Sequence, residues 1–217
     1  MSIIVPAILA TNPDEYKAQV ETIFPFAERV HIDVTDGNFA PNLTLPETQI
    51  WWPQEWKVDI HMMVARPSEH IDTIIQLNPN MVIFHAEVEE DLAPIFERLK
   101  NETMIKPGLA LLRSTVPETV APAIQAAEHI LIFSGNLGEM GGRASMMQLE
   151  KIRLIKEINS NVEIGWDGGA NLSNVFNLTQ SGVDVVNVGS EIMNSQNPEQ
   201  SYKPVSYTHL TLPTKRI

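Results

Sequence analysis

Residues 29–37 read RVHIDVTDG, and this stretch decides the fold because it defines a strand with two unlike faces. Apolar side chains occupy every second position, with His31 and Asp33 between them, which is the period-2 alternation of a β-strand. Further β-branched, apolar runs begin near residues 3, 57, 81, 105, 129, 162 and 183. Together these runs predict eight strands at intervals of roughly 20–30 residues.

Segments between the strands have helical periodicity. Tyr16, Val20 and Ile23 form a helical stripe that follows an asparagine–proline start. Ser145 with Gln148 predicts a capping box for a later helix. This strand–helix alternation predicts an α/β fold, a single-domain (β/α)8 TIM barrel. An open, doubly wound sheet is the alternative, because spacing alone does not show closure, although no GxGxxG fingerprint follows any strand.

The composition limits the classes of partner. The chain has 217 residues, of which 43% are hydrophobic, a formal net charge of −12 and no cysteine. This content suffices for one sizeable core without disulfides or cysteine-bound metals. The negative charge argues against a nucleic-acid partner. Because no apolar run reaches about 18 residues and the N-terminus lacks a basic segment, we expect a cytoplasmic protein with no signal peptide and no membrane partner.

The last residues do not continue the strand–helix alternation. Residues 206–217 (SYTHLTLPTKRI) resemble the translated read-through of a sequencing adapter more than the helix that should follow an eighth strand. We therefore expect residues 1–205 to form the barrel and residues 206–217 to be a non-native tail. The same reasoning predicts that the last helix is truncated.

Four polar side chains fall at the predicted carboxyl ends of strands. His31 and Asp33 end the second strand, His61 ends the third and Asp167 ends the seventh. One His-x-Asp pair is more simply an incidental or structural pair, but the carboxyl ends of barrel strands meet at one mouth, where active sites lie. Two imidazoles and two carboxylates there predict one divalent metal ion; they suit Zn²⁺ and tolerate Mn²⁺, Fe²⁺ or Co²⁺. His85 ends the fourth strand, where packing and support of the site are equally open interpretations.

Small residues form a second pattern, in the loops after strands six, seven and eight. Backbone N–H groups at glycines approach anions closely, and a serine can open a helix whose N-terminus favours phosphate. One such pair is more simply a turn, but three pairs on one rim predict a phosphate-binding site, since the loops after strands seven and eight commonly bind phosphate in barrels. The residues are Gly141, Gly142, Gly168, Gly169, Gly189 and Ser190.

Six motifs make a family resemblance recognisable. HIDVTDGNFAPNLTL, DIHMMV, FHAE, the GG loop, DGGANLSNV and NVGS occur in the order seen in the ribulose-phosphate 3-epimerase family, which the chain resembles over approximately residues 2–195. The resemblance implies a metal-dependent barrel epimerase that inverts C3 of a phosphorylated sugar, converting ribulose 5-phosphate to xylulose 5-phosphate. It assigns the metal to His31, Asp33, His61 and Asp167, and proton transfer through an enediolate to the two aspartates. Family members commonly assemble as dimers or hexamers, so a homo-oligomer is compatible with the sequence.

The chain departs from the family pattern around the substrate. Ala7 replaces a serine that faces substrate in the family, and the fifth strand reads LALLRST where the family has Asn-Pro. Residues 136–143 (NLGEMGGR) are one residue longer than the family's mobile loop and lack its proline. In that loop Arg143 is a candidate phosphate contact, with a rim salt bridge as the equal alternative.

The departures leave other functions open. One is an epimerase of a hexulose 6-phosphate or a free ketose, and another is a non-catalytic divergent barrel that binds a phosphorylated ligand. The orotidine-phosphate-decarboxylase type is disfavoured, because residues 33–36 (DVTD) lack the lysine of its DxKxxD motif.

Overall fold

Eight parallel strands close into a barrel in chain order, and each of the eight predicted runs contains one of them. The strands are β1 (Ile3–Ile8), β2 (Arg29–Thr35), β3 (Lys57–Met63), β4 (Met81–His85), β5 (Lys106–Leu111), β6 (His129–Phe133), β7 (Glu163–Asp167) and β8 (Val185–Val188). The structure is a computed structural model that describes residues 2–139 and 141–202. The pairing of β1 with β8, from Ile3↔Val185 to Pro6↔Val188, closes the barrel, so the open-sheet alternative is wrong.

Helices and short 3-10 turns connect the strands. The α-helices are α1 (Pro13–Ile23), α2 (Ile71–Leu77), α3 (Ala93–Glu102), α4 (Ala121–Ala126), α5 (Glu150–Ile158), α6 (Val175–Gln180) and α7 (Ser190–Met193). Helix α1 begins as predicted, since the Asn12 side chain accepts a hydrogen bond from the backbone N–H of Glu15. The capping box predicted at Ser145 is wrong, because that side chain makes no cap bond and a 3-10 turn, Met146–Leu149, precedes α5.

The main core lies between the outward faces of the strands and the helices. Val30 and Ile32 of β2 and Ile60 of β3 are at most 1% exposed and belong to one cluster with Tyr16 and Ile23 of α1. Complete burial of each such aliphatic side chain stabilises the fold by about 1.5–3 kcal/mol. A second, smaller cluster of strand residues on the β4–β6 side comprises Met81, Ile83, Ala110 and Leu131.

The amino end of the barrel holds a charged network, which we call the amino-end network. Arg29 Nε lies 2.6 Å from Asp59 Oδ2, and Arg29 Nη2 lies 2.9 Å from Glu163 Oε2. His129 Nδ1 is 2.7 Å from Glu163 Oε2, and Asn80 Nδ2 donates to Asp59 Oδ1 at 2.7 Å. Burial opposes ionisation at both ends of the Arg29–Glu163 pair, yet the pairing raises the pKa of Arg29 and, with His129, lowers that of Glu163. The network therefore pairs both of its carboxylates with a cation that the chain itself supplies.

Two of the sequence predictions concern the chain as a whole. Within residues 2–139 and 141–202, no helix has both the length and the apolar character needed to cross a membrane. Residues 198–202 are helical, and the Tyr202 ring packs on Phe26 with ring centroids 4.9 Å apart. The predicted tail, residues 206–217, lies outside the described residues, as do residues 203–205, so the predicted truncation stays a prediction.

Candidate metal centre and active site

The closed barrel brings four predicted ligands together at the carboxyl ends of its strands. His31 and Asp33 come from β2, His61 from β3 and Asp167 from the last position of β7. One ligand atom from each residue lies within 4.8 Å of those of the other three, and we call this group the His–Asp cluster. Alternation along the strands explains the convergence, because residues two apart point to the same side of the sheet.

The distances show which atoms face the centre. Asp33 Oδ1 lies 2.9 Å from His61 Nδ1 and 3.2 Å from His31 Nε2. Asp167 Oδ2 lies farther out, 3.7 Å from His61 Nδ1 and 3.9 Å from His31 Nε2. Both histidines are at most 1% exposed, so the cluster is screened from bulk water. Two imidazole nitrogens and two carboxylate oxygens thus surround one small volume.

Asn187 of β8 determines how His31 presents its nitrogens. Asn187 Nδ2 is placed 3.0 Å from His31 Nδ1, while His31 Nε2 and Asn187 Oδ1 are buried without a hydrogen-bond partner. Rotating the amide by 180° lets Oδ1 accept from an Nδ1–H on His31, and amide oxygen and nitrogen are assigned by such pairing. That tautomer leaves the lone pair on His31 Nε2, which points at the carboxylates. The donor set therefore fits a divalent cation, which satisfies this buried nitrogen.

The two aspartates of the cluster differ in their electrostatics. For Asp33 burial alone would raise the pKa, but His31 and His61, when protonated, outweigh burial through their positive charge and their hydrogen bonds and lower it well below its ordinary value. At Asp167 burial and the negative charge of Asp33 raise the pKa, against the opposing effect of the two histidines. The pKa values of the two carboxyl groups therefore shift in opposite directions, which is the pattern of an acid and a base in one site.

A further buried histidine contacts His61 on the side of its ring that faces away from Asp33. His85 at the end of β4 is 0% exposed, and its Nε2 lies 2.9 Å from His61 Nε2. Its Nδ1 lies 3.2 Å from Glu87 Oε2. Burial and the neighbouring His61 lower the pKa of His85 to about 4, although Glu87 acts in the opposite direction. His85 is therefore neutral near pH 7 and can accept one hydrogen bond while donating another.

A cleft adjoins the cluster. Asp33, Asp167 and Asn187 line it, and Phe133 of β6 contributes an aromatic wall. Five of the small residues predicted to bind phosphate also line it: Gly141, Gly168, Gly169, Gly189 and Ser190. The sixth, Gly142, and the exposed Arg143 are outside the lining formed by the described residues, so a phosphate contact of Arg143 stays a prediction.

Gly168 and Gly169 have a packing role in addition to any role in binding. Both have positive φ, 98° and 71°, which favours glycine. A Cβ atom at Gly168 would lie 2.1 Å from the backbone nitrogen of Gly135, and one at Gly169 would lie 2.2 Å from that of Ala144. The loop after β7 therefore packs directly against the loop after β6, and the two glycines permit this contact.

Two side chains from other loops hold the loop after β6. Arg113, after β5, donates from Nη2 to the backbone oxygen of Gly135 at 2.6 Å and to Asn136 Oδ1 at 2.9 Å. Asn42, after β2, donates to the backbone oxygen of Gly138 at 2.9 Å. These contacts connect the sequence changes in LALLRST and in residues 136–143, since Arg113 belongs to the first segment and reaches the second.

Sequence reasoning missed several residues of the site. Asn187 was available from the alternation in VDVVNVG, which places it on the same face as Gly189, but nothing local shows that it contacts His31, 156 residues away. Glu87 opens the acidic stretch EVEED at residues 87–91, which is typical of a solvated loop, although its side chain contacts His85. Arg113 carried no signal beyond its departure from the family pattern.

Comparison with known proteins identifies a group of similar chains. The sequence model of the family described as "Ribulose-phosphate 3 epimerase family" matches residues 3–193. The ribulose-phosphate 3-epimerase of Helicobacter pylori strain J99 is 30% identical over 201 residues, which covers 89% of this chain and 92% of that protein. The protein of the same name from Aquifex aeolicus is 28% identical over 207 residues, covering 92% of this chain and 93% of that protein.

Solved structures show that the fold is shared more widely. The KGPDC of Streptococcus mutans superposes with a TM-score of 0.72 at 10% identity, covering 97% of this chain and 98% of that one. The 3-hexulose-6-phosphate synthase of Salmonella typhimurium gives a TM-score of 0.68 at 11% identity, covering 96% of this chain and 98% of that one. At these identities the likeness establishes the barrel fold alone.

Proposed function

Because the chain belongs to the ribulose-phosphate 3-epimerase family, we propose that it inverts C3 of ribulose 5-phosphate to give xylulose 5-phosphate. The observation that carries this proposal is the buried His–Asp cluster at the carboxyl end of the barrel, next to a glycine-lined cleft. Relatives over most of the chain are named for the same reaction. Barrels of this kind place their active sites at this end.

The proposed cofactor is one divalent metal ion held by His31, Asp33, His61 and Asp167. Two imidazoles with two carboxylates favour Zn²⁺, and the same set tolerates Mn²⁺, Fe²⁺ or Co²⁺. When bound, such an ion acts as a Lewis acid that stabilises negative charge developing on the oxygens of the substrate. The positions of His31 Nε2 and His61 Nδ1, both directed at the carboxylates, support this assignment.

Asp33 and Asp167 are the proposed acid and base. Inversion requires removal of the C3 proton from one face of the sugar and delivery of a proton to the other, through an enediolate. The two aspartates come from β2 and β7, which are separated around the barrel by β1 and β8, so they reach the cleft from different sides. Their opposite pKa shifts support a division into acid and base. The roles exchange with the direction of reaction.

Phosphate recognition is assigned to backbone amides on the glycine-lined rim. Gly141, Gly168, Gly169, Gly189 and Ser190 line the cleft from three loops, and Ser190 Oγ would lie 3.3 Å from a Cβ at Gly141. Glycine leaves such amides accessible to an anion. Local capture is needed because the chain carries a net charge of −12, which repels a phosphorylated sugar at long range.

The setting of the enzyme follows from the same proposal. We assign residues 1–205 to one catalytic domain that acts on a small phosphorylated sugar in the cytoplasm, without nucleic-acid or membrane partners. A rice relative is named a cytoplasmic isoform, which supports the location. A homo-oligomer is compatible with the proposal.

A second candidate is an epimerase of a hexulose 6-phosphate or a free ketose. It is favoured by one observation, the contact of Arg113 with Gly135 and Asn136. This contact joins two segments that both depart from the family pattern, and residues 136–143 contribute to the lining of the cleft where the sugar would lie.

The test measures exchange of the C3 proton by NMR in D2O. Protein loaded with Zn²⁺ is offered ribulose 5-phosphate, a hexulose 6-phosphate and free ribulose. We expect exchange and inversion to be fastest with ribulose 5-phosphate. Faster exchange with another ketose would select the second candidate, and no exchange with any of the three would select the non-catalytic barrel.

A further inference from the structure

We propose that His85 and Glu87 form a relay that fixes the protonation pattern of His61 and thereby makes its Nδ1 a metal ligand. The inference rests on the metal site proposed above, but it assigns positioning roles to two residues that contact neither metal nor substrate. We call the hydrogen-bonded series Glu87–His85–His61 the relay. The position of each proton along the relay follows from the position of the one before it, beginning at the Glu87 carboxylate.

Glu87 determines the first proton. Its Oε1 accepts hydrogen bonds from the backbone N–H of Leu112, at 2.9 Å, and from the Thr115 hydroxyl, while Oε2 faces His85 Nδ1 at 3.2 Å. An ionised carboxylate can only accept hydrogen bonds. His85 must therefore carry its proton on Nδ1.

The proton on His85 Nδ1 determines the next one. A neutral imidazole has one N–H and one lone pair, so His85 Nε2 is the acceptor. It lies 2.9 Å from His61 Nε2, and both atoms are buried. Two lone pairs at this distance repel each other, so His61 Nε2 must donate. His61 then keeps its own lone pair on Nδ1.

The lone pair on His61 Nδ1 points into the His–Asp cluster. Nδ1 lies 2.9 Å from Asp33 Oδ1 and 3.7 Å from Asp167 Oδ2, and both of these oxygens are acceptors as well. Acceptors that face each other across such distances require a proton or a cation between them, and the 2.9 Å contact is a hydrogen bond when Nδ1 carries a proton. The relay therefore keeps a proton on Nε2 and leaves Nδ1 as the nitrogen at which a cation can take the place of a proton.

The surroundings make the relay rigid. Lys151 donates to the backbone oxygens of Leu112 and Arg113, which fixes the loop that donates to Glu87. Phe39 packs against the His85 ring with centroids 4.8 Å apart, and Phe133 packs against both His61 and His85 at 5.8 and 5.6 Å. A partner that orients a ligating imidazole is worth about 10–100-fold in metal affinity in known metal sites.

The experiment compares four variants with the wild-type chain. His85→Phe keeps a ring but removes the acceptor for His61, and His85→Gln restores an acceptor through its amide oxygen. Glu87→Gln removes the charge that orients His85. Glu89→Gln is the matched control, because Glu89 is exposed, makes the same charge change and lies two residues away.

Two measurements are made on each variant, after its fold is checked by circular dichroism. The first is the ¹⁵N NMR signature of the His61 ring in metal-free protein, which reports which nitrogen carries the proton. The second is the affinity for Zn²⁺ by competition with a chelator. We expect His61 Nε2 to carry a proton in the wild type, a loss of Zn²⁺ affinity of about 10–100-fold in His85→Phe and Glu87→Gln, a smaller loss in His85→Gln and none in Glu89→Gln.

The outcomes separate the relay from the proposed function. A wild type that binds no Zn²⁺ overturns the proposed metal site itself. Tight binding by the wild type with equal affinity in His85→Gln and Glu87→Gln overturns the relay alone, and so does an Nδ1–H tautomer in metal-free wild type. If His85→Phe does not fold, the other two variants decide the result.

Discussion

The two ends of the barrel each gather two carboxylates and at least one buried histidine, but they balance the negative charge differently. At the amino end Arg29 lies 2.6 Å from Asp59 and 2.9 Å from Glu163, so a residue of the chain supplies the cation. At the carboxyl end the His–Asp cluster has no such residue: none of the described residues that line its cleft is a lysine or an arginine.

The difference teaches how to distinguish a structural network from a ligand site made of the same residue types. Removing charges from water is favourable only if good partners replace the water, and the amino-end network supplies them within the chain. Both ends hold carboxylates against imidazole nitrogens, and each leaves one buried imidazole nitrogen, His31 Nε2 or His129 Nε2, without a hydrogen-bond partner, so the arginine is the difference between them. A divalent metal ion would take the place of the arginine at the carboxyl end, which is why we propose that ligand dependence belongs there.

The largest expected effect comes from a change at Asp167, one of the two carboxylates of the His–Asp cluster. Asp167→Asn should lower the rate of C3 proton exchange in D2O by about 10²–10⁴-fold, because it removes one of the two proton-transferring groups. The variant is assayed with excess Zn²⁺, and its metal content is measured. Full activity with metal bound would contradict the two-carboxylate scheme.

Zn²⁺ should also stabilise the fold, by binding at the carboxyl end of the barrel and not at the amino end. Zn²⁺ at 1,000 times its dissociation constant is expected to raise the free energy of unfolding by about 4 kcal/mol, since it binds the folded state alone. Urea unfolding with and without Zn²⁺ measures the increase. The increase should be largely lost in Asp33→Asn and kept in Glu163→Gln, and equal increases in both variants would place the ion elsewhere.

At the amino end the corresponding change should affect stability and spare catalysis. Glu163→Gln is expected to lower the free energy of unfolding by about 1–3 kcal/mol, because it leaves His129 without its charged acceptor and Arg29 with Asp59 alone. Glu163 is partly exposed, 34% by its side chain, which limits the loss. C3 proton exchange by the folded variant should match the wild type, and a large loss of exchange would mean that the two ends are coupled.

The sequence predicted where the His–Asp cluster lies, but not the long-range contacts that distinguish the two ends of the barrel. Apolar, β-branched runs located every strand and placed His31, Asp33, His61 and Asp167 toward the strand ends, since these properties are local. The contact between Arg29 and Glu163 joins residues 134 positions apart, and barrel closure alone brings them together.

The same limit explains the residues that sequence reasoning missed or misjudged. Glu87 looked like part of an acidic surface stretch because its partners, Leu112 and Thr115, come from a different loop. The capping box at Ser145 failed because the backbone N–H of Ser145 donates to Ser134 Oγ at 2.6 Å, a contact made across the loop. Periodicity therefore predicts which face a side chain occupies, while the fold determines what it meets there.

The smallest expected effect comes from Glu47 and His70, a histidine–carboxylate pair that includes neither an arginine nor a proposed metal ligand. Glu47 Oε1 lies 2.7 Å from His70 Nδ1 on the loops after β2 and β3. This contact raises the pKa of His70 above 6.5, although burial opposes the shift. At Glu47 burial would raise the pKa, but His70 lowers it below 4.5.

The signs of these two shifts define a pH window. Stability from His70 is fully present below pH 6.5 and is lost as the pH rises through its raised pKa, while stability from Glu47 is present above pH 4.5 and is lost as the pH falls through its lowered pKa. Glu47→Gln should therefore cost most near pH 5.5, about 0.5–1 kcal/mol after solvent screening, and less at pH 8.5. Urea unfolding at both pH values measures the difference, with Glu118→Gln, an exposed site, as control. If Glu47→Gln lowers the free energy of unfolding equally at both pH values, the contact is a neutral hydrogen bond. The attraction between a charged His70 and a charged Glu47 then contributes nothing to stability.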